Sequence, residues 1–534
     1  MAAFAITEPG SGSNPLAMST TAVQGVDGNF VINGTKVWSG SAAWASVIHV
    51  FAKTFDTQGN ALGVTGFAVE QGLDGLKVGS EALTMGMRGT CQSRVELNNV
   101  KVPSDAVLGK IGNGMEVAQD AMKFGRLVIT AAAIGGMKRC AQLMVRYAQR
   151  RQVGTGLLLD NPVTLQRLQD LKHATNAIET LVNRLAQCID RGIDVPIEIY
   201  AACKISGPEF FWEAADHLVQ MLGGRGYIEN NIAPQLLRDA RILRIFEGPT
   251  ETLSMYLGAR INKTRDEYFG FIDQQFNGHE IATTLGKTVD DLASEIEQSG
   301  AFDKLIDAER WLYERCGRLA ALATLKAALP ASDKQTREWL ENQYQKNIHN
   351  ARDYLSFGQR VDGADMLATV AAYTDQIGDI EQRAASDDQA LDDYLQREHA
   401  PSHSAVTPDI NVSVNSEAEI NGGAISHTAN SRQIEQLNVW MRDWIAGRLK
   451  MSSEDISVTQ DFTSFGLDSV DAVELTYGLS EAFGITVKAD LAWLYPSISS
   501  ASAHLAQLIK ESESVATSRS EDSTHSAKWL EGEI

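Results

Sequence analysis

The chain has 534 residues, of which 44% are hydrophobic and 22% charged, and its formal net charge is −21. This length indicates two to four domains, and the acidity argues against nucleic-acid binding. No stretch reaches the roughly 20 apolar residues of a membrane span, and the first residues lack a charged secretory region, so we expect a cytoplasmic protein. The cysteines lie far apart without metal-ligand spacing, which predicts buried free thiols and no metal site.

The first hundred residues predict β-structure. Asp27-Gly28 lies between two alternating segments within 20–33, which is a hairpin signal. Further strands are predicted by short apolar runs at 47–52, 64–69 and 93–102. Because glycine turns separate these runs, we expect a small antiparallel β-barrel or sandwich over residues 1–110.

From Gly114 the apolar residues recur at spacings of three and four, which predicts helices. The predicted helices are 114–150, 162–191, 196–222 and 249–261. Long helices with short connections predict an antiparallel bundle over 111–261. Residues 262–384 have a helical pattern without a recognisable motif, which predicts an extension used for packing or oligomerisation. A polar segment at 385–430 has the composition of a linker.

The segment after this linker is compact, amphipathic and acidic. From Met451 onward there are 14 acidic residues against 4 basic ones, which suggests a separate module that docks on basic partners. Its motif is Phe465-Gly466-Leu467-Asp468-Ser469, in which a glycine turn places a serine at the start of a helix. Free N–H groups there suit a phosphodiester, although an isolated Asp-Ser pair is more often a simple helix cap.

This motif and the helices around it resemble an acyl carrier protein. The resemblance implies a small four-helix carrier domain at 431–513, followed by a polar tail at 514–534. It also implies that Ser469 carries a 4'-phosphopantetheine arm, which a phosphopantetheinyl transferase attaches. Asp468 and Glu474 would belong to the acidic face that partner enzymes contact.

A glycine-rich loop near the N-terminus follows a short strand, in the run Phe4-Ala5-Ile6-Thr7-Glu8-Pro9-Gly10-Ser11-Gly12-Ser13. Such a loop brings backbone N–H groups close to a flat or anionic ligand. Further blocks follow in order at 33–38, 85–90, 95–103, 220–226, 238–242 and 245–251. Together they resemble the acyl-CoA dehydrogenases over residues 2–261, with the very-long-chain branch most similar. Members of that branch have an extra helical region after the bundle, which would account for residues 262–384. The resemblance therefore implies an α+β multidomain fold.

The resemblance implies an FAD site. The residues expected at the flavin ring are Phe4, Ile6, Thr7 and Trp38. Thr250 is also assigned to the cofactor, because Pro249 displaces the family's threonine by one position. Arg150, or its neighbour Arg151, would reach FAD in a second subunit, and Gln220 and Gly224 would hold the adenine half across a dimer. We therefore expect a homodimer or homotetramer.

The same resemblance assigns Glu247 as the base that removes the α-proton of an acyl thioester while the β-hydrogen leaves as hydride. A carboxylate shielded from water by an acyl chain becomes a stronger base. Some relatives place the base on the first bundle helix, at the position that Gly125 occupies here. Glycine has no side chain and therefore cannot act as a base. Arg126 would place the thioester arm or form a structural ion pair, and Ser13 and Gly248 are further substrate-binding candidates.

The leading prediction is an FAD-dependent acyl-thioester α,β-dehydrogenase fused to its own carrier, in a lipid, polyketide or nonribosomal-peptide pathway. One alternative is an inactive dehydrogenase-like scaffold with an active carrier, and another is a flavin oxidase of the same fold. Electron-transfer flavoprotein and oxygen are both open as electron acceptors. The family's N-terminal helical domain would precede the first loop, so the chain is either a fragment or works with a separate chain that supplies this domain.

Overall fold

The computed structural model describes residues 1–357, 363–378, 427–449, 452–460, 462–465, 467, 469–485, 487, 491–495 and 497–510. The predicted tail and most of the predicted linker lie outside these ranges, but residues 427–430 already belong to a helix. None of the helices within them combines the length and apolar character that crossing a bilayer requires. All five cysteines are buried free thiols, as the sequence predicts.

The N-terminal region forms a single eight-stranded sheet. Its strands are β1 (Ala2–Ala5), β2 (Thr21–Gln24), β3 (Phe30–Gly40), β4 (Val47–Phe55), β5 (Ala61–Glu70), β6 (Leu76–Glu81), β7 (Gln92–Val102) and β8 (Val107–Leu108). They are ordered β6-β7-β3-β2-β4-β5-β8, with β1 paired to β4. The predicted hairpin is confirmed: β2 and β3 are antiparallel, and Gly28 has a φ of 80° in the turn.

The sheet differs from the predicted antiparallel barrel in two ways. The sheet does not close on itself, and its two edge strands are β6 and β8. In addition, β1 and β2 both pair with β4 in parallel, one with 47–50 and the other with 53–55. The long strand β4 therefore pairs with two short strands that lie end to end. The alternation of polar and apolar residues does not predict this arrangement.

The predicted helical bundle is confirmed, with one additional short helix. Its members are α1 (Gly114–Ala148), α2 (Pro162–Asp190), α3 (Ile197–Leu222), α4 (Ile232–Leu243) and α5 (Thr250–Lys263). Asn161 accepts a hydrogen bond from Val163 N before α2, and Asn231 does the same for Ala233 N before α4. These caps satisfy orphan N–H groups and determine where the two helices begin.

The extension is also helical, and its part up to residue 357 packs on the bundle. It contains α6 (Asp266–Phe276), α7 (His279–Ser299), α8 (Leu305–Ala328), α9 (Lys334–Phe357) and α10 (Gly363–Ile377). A Cβ atom on Gly258 would lie 1.8 Å from Tyr313 O, and one on Gly317 would lie 1.9 Å from Ser254 O. The two glycines therefore allow α5 and α8 to run antiparallel with their backbones in contact, and the extension shares one hydrophobic core with the bundle.

The C-terminal part has a separate core. Its described helices are α11 (His427–Leu449), α12 (Ser469–Phe483), α13 (Leu491–Leu494) and α14 (498–510). Leu437, Met441 and Ile445 of α11 are fully buried against Leu475 and Leu479 of α12. The predicted four-helix module with an apolar face on its first helix is thus present, and Ser469 begins its second helix.

Candidate active site

A cavity of about 760 Å³ lies between the N-terminal loop, α1 and the segment that joins α4 to α5. A volume of this size suits a cofactor or a drug-sized ligand. It brings together residues that are far apart in the sequence. The predicted site residues in its wall are Ile6, Thr7, Ser13, Trp38, Arg126, Glu247 and Gly248.

A buried ion pair anchors the N-terminal loop of this wall. Lys36 Nζ lies 2.7 Å from Glu8 Oε1, and neither side chain is accessible to more than 1%. Glu8 also accepts hydrogen bonds from Thr20 N and from the hydroxyl of Ser19, while Lys36 Nζ donates to the carbonyl of Ile6. Burial acts to raise the pKa of Glu8, but Lys36 and these donors outweigh it and lower the pKa, so the carboxylate is charged. The pair holds Ile6 and Thr7 in place.

Trp38 lies in the wall with an unusual backbone. Its φ is 54°, in the left-handed region that β-strand residues avoid. Its side chain is 52% exposed, although a large aromatic residue of a central strand is normally covered. Beside it, Val37 N donates to Thr7 O, which ties β3 to the glycine-rich loop. The wall therefore presents a flat aromatic surface that the described residues leave half uncovered.

Glu247 lies in a strained turn held by two buried cations. Its φ is 57°, and Gly248 follows with a φ of 95°. Arg126 Nε of α1 lies 3.3 Å from Glu247 O, and Lys204 Nζ of α3 lies 3.1 Å from Gly248 O. A non-glycine residue in the left-handed region costs about 1–3 kcal/mol, so the surrounding contacts must hold it there. The two carbonyl contacts hold the turn in the orientation that aims Glu247 at the cavity.

The Glu247 side chain is half-buried at the cavity wall, and its carboxylate is incompletely paired. Among the described residues, no hydrogen-bond donor contacts its Oε2 atom. Burial raises the pKa of Glu247 above its usual value, and the nearby charges of Arg126 and Lys204 lower it to a smaller extent. A Cβ atom on Gly125 would lie 3.2 Å from Glu247 Cδ. The alternative position for a base therefore faces the same carboxylate, and the glycine there leaves room for it.

Lys204 is the main site residue that the sequence analysis missed. Its side chain is fully buried, and burial together with the charge of Arg126 lowers its pKa to about 8. The sequence indicates this residue in one way: a lysine lies within the apolar run of α3 from Ile199 to Ile205. Lysine is almost never fully buried unless its charge is paired, so such a position predicts a partner.

Comparison with known proteins identifies the body of the chain. The model of the acyl-CoA dehydrogenase middle domain matches residues 3–100, and that of the C-terminal domain matches residues 112–262. A cyclohex-1-ene-1-carbonyl-CoA dehydrogenase from Geobacter metallireducens is 31% identical over 259 residues, which are 48% of this chain and 67% of that protein. The chain belongs to the acyl-CoA dehydrogenase family.

Two further relatives extend the comparison of this family member. The very long-chain specific acyl-CoA dehydrogenase of Homo sapiens is 34% identical over 270 residues, covering 48% of the chain and 40% of the relative. The chain thus spans less than half the length of the long-chain relatives it matches. The crystal structure of a Bacillus anthracis acyl-CoA dehydrogenase complexed with FAD has the same fold, with a TM-score of 0.54, 21% identity, and coverage of 69% of this chain and 71% of that one.

The C-terminal module matches a third family model. The phosphopantetheine attachment site covers residues 439–505, a range that contains Ser469. The chain is thus an acyl-CoA dehydrogenase family body fused to a phosphopantetheine-binding domain. This match agrees with the four helices and the separate core of the module.

Several predicted site residues of this dehydrogenase-family body lie outside the cavity. Phe4 packs on Phe51 behind the wall, with ring centroids 5.0 Å apart. Thr250 is buried, and its hydroxyl donates to Glu209 Oε1 at 2.7 Å, so its oxygen is engaged within the protein. The positions assigned to FAD of a second subunit are exposed on the surface, and they are Arg150, Arg151, Gln220 and Gly224.

Other residues line the cavity without having been predicted. Met115, Gln119 and Met122 follow one another along α1 and lead to the predicted Arg126. Spacings of three to four residues place these side chains on the same face of the helix as Arg126. The three could therefore have been predicted from the assignment of Arg126 to the site. Tyr256 of α5 completes that side of the wall. Within the described ranges, the His, Cys, Asp and Glu side chains form no group that could hold a metal ion.

Proposed function

We propose that this chain is an FAD-dependent dehydrogenase that removes the α and β hydrogens of a saturated acyl thioester, and that the thioester is carried on the chain's own carrier domain. The observation that supports this most strongly is the Glu247 carboxylate. Its side chain lies half-buried in the cavity wall, its pKa is raised, and its Oε2 atom has no hydrogen-bond donor among the described residues. A general base needs this combination of access and basicity.

The cavity fits a flavin ring. Ile6 and Thr7 are held in place from behind by the buried pair, and Trp38 offers a half-exposed indole beside them. The adenine half of FAD would reach Arg150, Gln220 and Gly224 outside the cavity. Because these positions are exposed rather than gathered around one pocket, we propose that two copies of the chain share each cofactor.

The residues of the chain would divide the reaction as follows. Glu247 takes the α-proton of the thioester, and the electron pair of that C–H bond becomes the new double bond as the β-hydrogen leaves as hydride. Bound FAD supplies the acceptor for that hydride. Arg126 and Lys204 keep the Glu247–Gly248 turn in place and partly offset the effect of burial on the pKa of Glu247. The wall is mostly apolar, and an acyl chain bound against it would shield the carboxylate from water, which would keep it basic.

Fusion to a carrier domain favours a carrier-bound substrate over free acyl-CoA. A tethered group meets the site at an effective concentration of about the millimolar range. We infer that a phosphopantetheinyl transferase first loads Ser469. The pathway would then be one that builds or modifies a carrier-bound acyl chain.

A visible spectrum with anaerobic titration tests this function. The purified chain should bind FAD, and acyl thioesters should bleach the flavin absorbance without oxygen. A protein that takes up no FAD would overturn the proposal in favour of a scaffold with an active carrier. Rapid reoxidation of the bleached protein by air, with stoichiometric hydrogen peroxide, would instead favour the oxidase.

Lys204→Gln should shift the pH dependence of flavin reduction. The base works as a carboxylate, so the reduction rate falls as the pH drops through the raised pKa of Glu247. The positive charge of Lys204 partly offsets the effect of burial on the pKa of Glu247. Removing it should raise that pKa further and move the acid limb of the pH profile to higher pH. Stopped-flow reduction between pH 5 and about 8 measures the limb. Lys204→Arg, which keeps the charge, should move it less, and an unchanged limb in Lys204→Gln would show that the lysine is only structural.

A further inference from the structure

The acidic face of the serine-bearing helix α12 is covered by other parts of the chain. Asp471 is 1% exposed and Glu474 is 6% exposed. In a carrier separated from the body, only groups of the carrier itself would cover these two side chains. Because a buried carboxylate is unfavourable without compensating charge, the groups that cover both residues must supply it.

One of these groups belongs to the carrier itself. Arg448, near the end of α11, places Nε 2.7 Å from Asp471 Oδ1 and a terminal nitrogen 2.7 Å from Glu474 Oε2. The same terminal nitrogen lies 2.9 Å from Glu309 Oε2 on α8. Burial, followed by the charge of Glu474, raises the pKa of Glu309. Arg448 thus joins the carrier to the dehydrogenase body through a shared ion-pair network.

The body supplies the remaining groups from the ridge where α5 and α8 meet. Lys263 Nζ lies 3.9 Å from Glu474 Oε1 and 5.6 Å from the ring centroid of Tyr477 on α12. Arg310 lies 3.7 Å from Asp471 Oδ2, and the Tyr313 hydroxyl donates to Glu474. Two cations and a hydroxyl of the body therefore meet the acids of α12, which is the charge complementarity expected of a specific interface.

This contact lies beside the cavity. Tyr256 lines the cavity, and Lys263 lies two turns further along the same helix, about 10 Å along its axis at 1.5 Å per residue. The glycines of α5 and α8 let the two helices pack with their backbones in contact where the carrier lies. A carrier held there is close to the proposed reaction site without filling it.

We propose that Lys263, Arg310 and Tyr313 form a docking site for the chain's own carrier domain, which holds the carrier next to the dehydrogenase cavity and speeds the reaction of its thioester. The nature of the cargo rests on the proposed function, whereas the docking contact does not. A tether alone raises the effective concentration, and a docking site adds orientation to it.

The full-length chain with the double substitution Lys263→Glu and Arg310→Glu tests the site. Both changes place carboxylates against Asp471 and Glu474, so repulsion should release the carrier. Carbodiimide labelling of carboxylates, mapped by mass spectrometry, reports docking without turnover. We expect Asp471 and Glu474 to be protected in the parent chain and labelled in the variant, while the exposed Glu435 is labelled in both. Lys287→Glu, at an exposed lysine of α7, introduces the same kind of charge change and should leave the protection intact.

The same proteins, loaded at Ser469 with a saturated acyl-phosphopantetheine, are then compared in anaerobic flavin reduction. The double variant should reduce its flavin about tenfold or more slowly from the carrier-bound thioester, while acyl-CoA added from solution should act at the parent rate. Equal labelling of parent and variant, or equal rates from the carrier-bound thioester, would overturn the docking site. If no thioester bleaches either protein, the proposed function fails, and the labelling result alone decides the docking question.

Discussion

Glu247→Gln should slow anaerobic flavin reduction by acyl thioesters by a factor of about 10²–10⁴ while FAD remains bound, because this is the contribution that general-base catalysis typically makes. The amide is close to the carboxylate in size but cannot accept the α-proton. Neighbouring side chains offer no substitute: Arg126 and Lys204 are cations engaged with backbone carbonyls, and Gly125 has no side chain. Stopped-flow absorbance of the flavin measures the effect.

A matched control is available four residues further on. Glu251 lies in the first turn of α5 and is exposed, so Glu251→Gln makes the same chemical change outside the cavity. It should retain nearly the parent rate. If Glu247→Gln kept the parent rate too, the base would lie elsewhere, and the strained turn would serve only to close the cavity. If both variants lost FAD, the effect would be one of folding, and the flavin content would reveal it.

Features that depend on local sequence were predictable. The hairpin at Gly28 and the helices from Gly114 onward follow from residue spacing and from glycine at a position of positive φ. The orientation of Thr250 is not determined by local sequence. Pro249 makes Thr250 the first residue of α5, and the structure buries its hydroxyl against Glu209. Similarity of the motif alone did not indicate that orientation.

Features that depend on contacts between distant segments were not predictable. Lys204 meets Gly248 across 44 positions, and Arg448 meets Glu309 across 139. A single sequence contains no signal that couples such positions, although a lysine within an apolar helical run indicates that some partner exists. The acidity of the C-terminal module predicts a basic partner, and in the structure Lys263 and Arg310 of the chain's own body lie beside its acids. The open sheet, with two short strands sharing β4, belongs to the same class of long-range feature.

Ser469→Ala should abolish loading of the carrier, because the serine hydroxyl is the only group in its motif that can form the phosphodiester. Ser469 is the first residue of α12, and the match to a phosphopantetheine attachment site extends on both sides of it. The N–H groups of a helix start and the partial positive charge there favour an attached phosphate. Incubation with coenzyme A and a phosphopantetheinyl transferase should add one phosphopantetheine mass to the parent chain and none to the variant.

Ser464→Ala is the control, since it removes a hydroxyl five residues earlier and should leave the mass gain intact. Persistent loading of Ser469→Ala would place the attachment at another residue and remove the basis for a carrier-bound substrate at this helix.

The Ser469→Ala variant also separates the dehydrogenase reaction from the delivery of the substrate by the carrier. It should still be bleached by acyl-CoA, because the cavity is unchanged. It should show no reduction after treatment with acyl-CoA and transferase once free thioester is removed. Bleaching under that last condition would mean that the acyl group reaches Glu247 without the carrier.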